Sequence, residues 1–194
     1  MGHTERKQRE KENLKKNLMK AALDIATIDG WEAVTIRRIA DAVEYTTSVV
    51  YANFKSKDAL LFEIIEQGFQ QLYNITMKAL NENDDPKSQL IAISLANWDL
   101  AMANKELYQL MFNFKKPSGS TAFKGMNIIE SVFEKLTGQP NNKVKKLIIN
   151  WICLRRGCIN LLLEFREHDE DIDPRELFIE FMERFITSIT PDNI

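Results

Sequence analysis

Apolar side chains recur along most of this chain at the three- and four-residue intervals that place them on one face of an α-helix. After a run of alternating charges over residues 5–17, Leu14, Leu18, Ala21, Ala22 and Ile25 form the first such stripe. That run reads as a frayed arm or a solvated helix start, and Gly30 stands where a helix would end. Ile36, Ile39, Ala40 and Val43 repeat the spacing in a short second helix that Thr35 can cap. Thr46, Thr47 and Ser48 can cap a third short helix ending near Phe54, and Ser56 a long fourth running from 57 to about 80.

A polar break at 81–86 separates these from helices expected over 87–104, 105–114, 121–136 and 142–168, with a loop at 116–120. An acidic loop at 169–173 leads to Pro174, which opens a last helix reaching about 189. No repeat or convincing strand breaks the series. The pattern predicts an all-α fold: a charged N-terminal arm over 1–13, a bundle of three short helices leading into a long one over 14–62, and a C-terminal helical body over 63–194.

Composition narrows the class of protein. Hydrophobic residues make up 44% and charged residues 28%, as in a soluble globular chain, and 7 Gly with 5 Pro suit helices better than a turn-rich β fold. No apolar run approaches the roughly 20 residues of a membrane span, and the polar N-terminus lacks a signal peptide's apolar centre. A cytoplasmic protein is expected, without membrane contact. Cys153 and Cys158 lie roughly 140° apart on a helix and cannot bridge each other, so buried free thiols are expected.

The net charge of −2 is unevenly spread. Residues 1–57 hold 11 Lys/Arg against 8 Asp/Glu, and residues 58–194 hold 15 against 20. A basic front on an acidic body confines any nucleic-acid contact to the N-terminal part.

There, residues 35–58 read TIRRIADAVEYTTSVVYANFKSKD. A helix-turn-helix needs a buttressing helix, a tight turn and a second helix polar enough outside to enter the major groove. Thr47, Ser48 and Tyr51 share one face of the third helix, while Val49 and Val50 point towards Ile36, Ile39 and Ala40. Short hydroxyls admit close approach to base edges and phosphates, and Arg37, Arg38, Lys55 and Lys57 supply counter-charge.

Ala21-Ala22, Ile25-Ala26, Gly30, Thr35, Arg37, Ile39-Ala40, Val50-Tyr51, Phe54, Lys57 and Leu60-Leu61 follow, without a gap, the N-terminal pattern of the TetR family. Over about residues 14–66 the chain resembles that family. The resemblance implies phosphate contacts from Thr35, Thr47, Tyr51 and Lys57, and base reading by Thr46 to Ser48 and their neighbours. It also implies a helical C-terminal domain that dimerises and often binds a small molecule. The family's usual turn glycine is replaced by Glu44, which would carry a cost on the order of 1 kcal/mol if the backbone there is left-handed.

The C-terminal body offers its own hints. Ile148, Trp151, Ile152, Ile159 and Leu162, and then Phe178, Phe181, Met182, Phe185 and Ile189, give two helices apolar on more than one side. Such helices need burial against their own domain and against a partner, here a second copy of the chain. Gly157 would let helices approach closely.

Trp98, Met102, Tyr108, Met111, Phe112, Phe123, Met126, Phe133 and Trp151 are candidate lining of an apolar effector cavity, with Arg155 and Arg156 placed to meet an anionic group. The same residues also suit an ordinary core.

Catalysis finds no foothold. His3 and His168 are the only histidines, and no nucleophile–base pair or phosphate-cradling loop stands out. His168 with Asp169, Glu170, Asp171 and Asp173 reads as solvated loop charge rather than a cation site. Neither enzyme activity, metal nor cofactor is expected. The reading is a dimeric repressor, released from a palindromic double-stranded DNA operator by a small, largely apolar effector. Two others stay open: a factor of the same fold answering to a protein partner, and a helical interaction module without specific DNA binding.

Overall fold

Helix succeeds helix in the computed structural model, which describes residues 2–114, 120–165 and 173–190. Among those residues there are nine α-helices, two 3-10 turns and no strand. The helices are α1 (His3–Asp29), α2 (Ile36–Ala42), α3 (Thr47–Asn53), α4 (Lys57–Asn81), α5 (Pro86–Ala103), α6 (Lys105–Asn113), α7 (Met126–Thr137), α8 (Asn141–Phe165) and α9 (Pro174–Ser188). The 3-10 turns are Trp31–Ala33 and Thr121–Phe123. None of these helices is long and apolar enough to cross a membrane.

Local chemistry sets most boundaries. Gly30 ends α1 at φ 79°, its N–H donating to the Ala26 carbonyl. The side chains of Thr35, Ser56, Asp85 and Asp173 each accept a hydrogen bond from a backbone N–H of the helix that follows. One expectation needs correcting. The stretch from Thr121 is not one helix: a 3-10 turn comes first, and Gly125 at φ 81° resets the chain before α7 begins at Met126. Of the two readings of the charged run near the N-terminus, the solvated helix start is the one found, with α1 helical from His3 onward. His168 and the loop residues 169–171 lie outside the described residues, as does most of the 116–120 loop.

The chain divides into two compact units, Met1–Gly68 with Glu106–Lys116, and Phe69–Lys105 with Pro117–Ile194. In the first, Leu18, Ala22, Ile39, Val50, Leu60 and Ile65 are buried. Helix α6 joins this core through Tyr108 and Met111, both wholly buried, and the Trp31 indole N–H donates to the Glu106 carbonyl at 3.2 Å.

In the second unit α5 packs with α7, α8 and α9. Leu90, Ile93, Phe133, Trp151, Ile159, Phe178, Met182 and Ile186 form its interior, where Trp98 stacks on Phe178 with centroids 5.0 Å apart. Both cysteines are free, but Cys153 is exposed rather than buried, because it lies on the face of α8 opposite Trp151 and Arg155. Cys158 is half-buried, and that burial pushes its thiol pKa up.

Candidate DNA-binding surface

The first unit presents a polar surface built on α2 and α3. Val50 is wholly buried while Thr46, Thr47, Ser48 and Tyr51 are exposed, so α3 is anchored by one side and offers hydroxyls on the other. Val49, expected to face inward with Val50, is only half-buried. Thr46 sits at the N-cap of α3 without a side-chain capping bond, which leaves its hydroxyl available.

Two short bonds shape the turn before α3. Tyr45 N–H donates to the Ala40 carbonyl at 2.9 Å, and Glu44 N–H to the Asp41 carbonyl at 3.2 Å. Closing the turn this way puts Glu44 at φ 59°, the one non-glycine residue with positive φ among those described. The left-handed backbone that glycine would take at no cost is therefore kept here by an acid.

The cations around this surface are not equivalent. Arg37 is largely exposed, with its guanidinium 4.0 Å from Asp41. Arg38 is instead a brace: it pairs with Asp29 at the end of α1 and also donates to the Ala33 carbonyl. Thr35 has a structural task, since its hydroxyl accepts the Arg38 N–H at 3.2 Å. Lys55 is exposed, and Lys57 is half-buried at the start of α4, next to the Ser56 that caps it.

Tyr45, absent from the sequence-based set, is 51% exposed, comparable to Tyr51 at 55%, which makes it a further candidate contact. A large aromatic in the turn that directly precedes α3 was the available signal.

The residues considered for an effector site divide between the units. Tyr108, Met111 and Phe112 lie on α6 in the first; Trp98, Met102, Met126, Phe133, Trp151 and Arg155 lie in the second. Phe123 falls in the second 3-10 turn, and its side chain lies outside the described part. Arg155 is nearly buried, its guanidinium 4.2 Å from the Trp151 ring centre. Arg156 is half-buried. The Trp151 indole N–H donates to Ser94 Oγ at 3.1 Å.

Asn97, one turn beyond Ser94, is 1% exposed; its Nδ2 donates to the Ile93 carbonyl, and its Oδ1 accepts no bond among the described residues. Sequence reasoning singled out Arg155 and Trp151 but neither Ser94 nor Asn97, whose burial depends on which face of α5 turns inward.

Residues 18–64 match the family model described as bacterial regulatory proteins, tetR family. No curated protein matches the chain. Among solved structures, a protein with unknown function from Rhodococcus sp. RHA1 superposes with a TM-score of 0.77 at 17% identity, over 91% of this chain and 95% of that one. A possible TetR family transcriptional regulator from Streptomyces coelicolor A3(2) gives 0.70 at 13% identity, over 90% and 97%. A single-residue variant of TetR from Acinetobacter baumannii AYE, in complex with minocycline, gives 0.67 at 17%, over 88% and 93%. At these identities the likeness is one of fold.

Proposed function

We propose, from the match of residues 18–64 to the tetR family of bacterial regulatory proteins, that this chain is a dimeric repressor that binds a palindromic operator and releases it when a small molecule binds. The observation that carries the DNA-binding part is the polar outer face of α3, where Thr47, Ser48 and Tyr51 are exposed behind a buried Val50. Thr46 to Ser48 read bases; Tyr51, Arg37, Lys55 and Lys57 hold phosphates, and Thr35 and Arg38 keep α2 in place while lying close enough to add contacts.

Dimerisation is supported by an exposed, partly apolar stripe on α8. Ile149, Cys153, Gly157 and Leu161 follow one another at four-residue steps, and the two aliphatic side chains are 59% and 53% exposed. A Cβ built on Gly157 meets nothing within 4 Å among the described residues, which suits the close approach of a second copy there. Isologous pairing of α8 and α9 would bury this stripe and set two reading helices one DNA turn, or a multiple of it, apart.

Effector binding is supported by the polar interior of the second unit. Ser94, Asn97 and Arg155 are buried, Ser94 and Arg155 against Trp151, and an acceptor such as Asn97 Oδ1 is normally matched by a donor. A largely apolar molecule carrying a donor, or an anionic group for Arg155, suits these side chains. A neighbour of the same fold was solved with minocycline, which fits regulation by a small molecule. Only a few kcal/mol of differential affinity is needed to shift such a dimer between two spacings.

The test is selection from a random duplex pool, with wild type beside Thr47→Ala/Tyr51→Ala. Enrichment of a palindrome by wild type alone supports the reading. If wild type enriches nothing at low salt, the regulator reading fails.

A further inference from the structure

The helix-turn-helix itself carries cations but no net positive charge. Residues 18–57 hold five Lys/Arg and five Asp/Glu, whereas residues 3–17 hold six Lys/Arg and three Asp/Glu. The whole net positive charge of the N-terminal region thus sits in the first four turns of α1. Within the helix-turn-helix, moreover, Arg38 is tied to Asp29, Lys20 to Asp24, and Arg37 lies near Asp41.

Those first turns serve no core. Residues 5–13 are exposed, and the first fully buried side chain of α1 is Leu18. A helix polar on every side persists through i,i+4 pairs, of which Arg6–Glu10 at 2.8 Å and Gln8–Glu12 at 2.9 Å are examples. These pairs occupy acids of the segment and leave lysines over. Lys7, Lys11 and Lys15 follow one another at four-residue steps and so share a side of α1, each turned only about 40° from the next.

The direction of that row is set by its last member. Lys15 Nζ lies 5.3 Å from the ring centre of Phe54, the residue that ends the reading helix α3, and 3.9 Å from Glu63. The row therefore starts beside the C-terminal end of α3 and runs outward from it. From Lys15 back to His3 is about 18 Å at 1.5 Å per residue, roughly half a turn of B-DNA.

We infer that the α1 extension is a phosphate-binding strap, in which Lys7 and Lys11 contact the DNA backbone outside the segment read by α3. The inference rests on the DNA-binding reading above. The strap supplies affinity without sequence information, because phosphate contacts act alike on every duplex.

The experiment uses the full-length protein and the duplex that wild type enriches from a random pool. Its affinity is measured from low to moderate salt for wild type, for Lys7→Gln/Lys11→Gln, and for Lys143→Gln/Lys145→Gln, which removes the same charge from exposed positions on α8. Lys and Gln have similar helix propensities, so α1 keeps its form.

Each phosphate contact contributes about 0.9 to the slope of log K against log salt. The first variant should lower that slope by about 2 to 4 per dimer and leave the enriched sequence unchanged, while the α8 variant leaves both alone. An unchanged slope for Lys7→Gln/Lys11→Gln overturns the strap and leaves the regulator reading standing. An equal fall in both variants also overturns it, since net charge rather than contact would be at work. If wild type enriches no duplex, both claims fall together.

Discussion

Gly68 and Met111 meet so closely that α6 has no room for any larger residue on α4 at that point. A Cβ built on Gly68 would lie 2.6 Å from Met111 Sδ and 3.1 Å from Leu107 Cδ1. Met111 is wholly buried, so its thioether cannot swing into solvent to make way. Glycine in mid-helix ordinarily costs about 1 kcal/mol relative to alanine, and Gly68→Ala would normally stabilise a helix by that amount. Here overpacking of about 1–3 kcal/mol outweighs the gain. We predict that Gly68→Ala leaves the protein no more stable, or less stable by up to about 2 kcal/mol, in urea denaturation. A gain of a full kcal/mol would show that α6 does not hold this position in solution.

Glu44 gives the opposite expectation. Its φ of 59° is one that L-residues adopt at a cost of about 1–2 kcal/mol, and the Tyr45–Ala40 hydrogen bond holds the turn in that form. Glu44→Gly should raise the melting temperature by about 2–4 °C for each kcal/mol recovered in a chain of this size. Glu44→Ala should bring no such rise, because alanine meets the same steric conflict. Equal gains from both substitutions would locate the effect in the charge rather than in the backbone.

How far the sequence could be read follows from how local each determinant is. The caps at Thr35 and Ser56 act within three residues and Pro174 marks a first helical position by itself, so the starts of α2, α4 and α9 were legible to within a residue. The apolar spacing after Thr121 continued a helical pattern across Gly125, and the positive φ there was not apparent from spacing alone.

Helix α6 illustrates the harder limit. Leu107, Tyr108, Leu110 and Met111 announce a buried face, but its counterpart is Gly68, nearly forty residues earlier and without a side chain to signal a contact. At the candidate DNA surface the exposed hydroxyls of α3 followed from periodicity. The bracing of Arg38 by Asp29 did not, since it bridges Gly30 and a 3-10 turn whose course the sequence does not specify.

Asp85 ties the start of α5 to pH. Its carboxylate accepts the Ser88 N–H at 2.8 Å and the Ser88 hydroxyl at 2.9 Å, and the backbone bond is the chief cause that lowers its pKa below the ordinary aspartate value. A group whose folded pKa is depressed stabilises the fold above its unfolded pKa and loses that contribution as pH falls through the folded one. At neutral pH Asp85→Ala should therefore cost about 1 kcal/mol, the usual worth of an N-cap. The gap to wild type should narrow below roughly pH 4. Asp85→Asn, which keeps an acceptor without titrating, should show a flatter pH dependence than wild type. A gap that stays constant from pH 7 to pH 3 would mean that the cap does not act through the carboxylate's charge.

The buried Ser94–Trp151 pair makes the interior of the second unit testable without an effector in hand. Ser94 Oγ accepts the indole N–H of Trp151 at 3.1 Å and donates to the Leu90 carbonyl at 2.8 Å, and both residues are fully buried. In Ser94→Ala the indole N–H loses its acceptor where water cannot easily replace it, at a cost of about 1–3 kcal/mol. Trp151→Phe removes that donor but also leaves a void, so its own cost is large and says little about the hydrogen bond. The double variant separates the two effects. If the bond matters, Ser94→Ala should cost less in the Trp151→Phe background than in wild type, with a coupling of at least about 0.5 kcal/mol in urea denaturation. Strict additivity would mean that the indole finds another acceptor in this core, and that Ser94 is replaceable there.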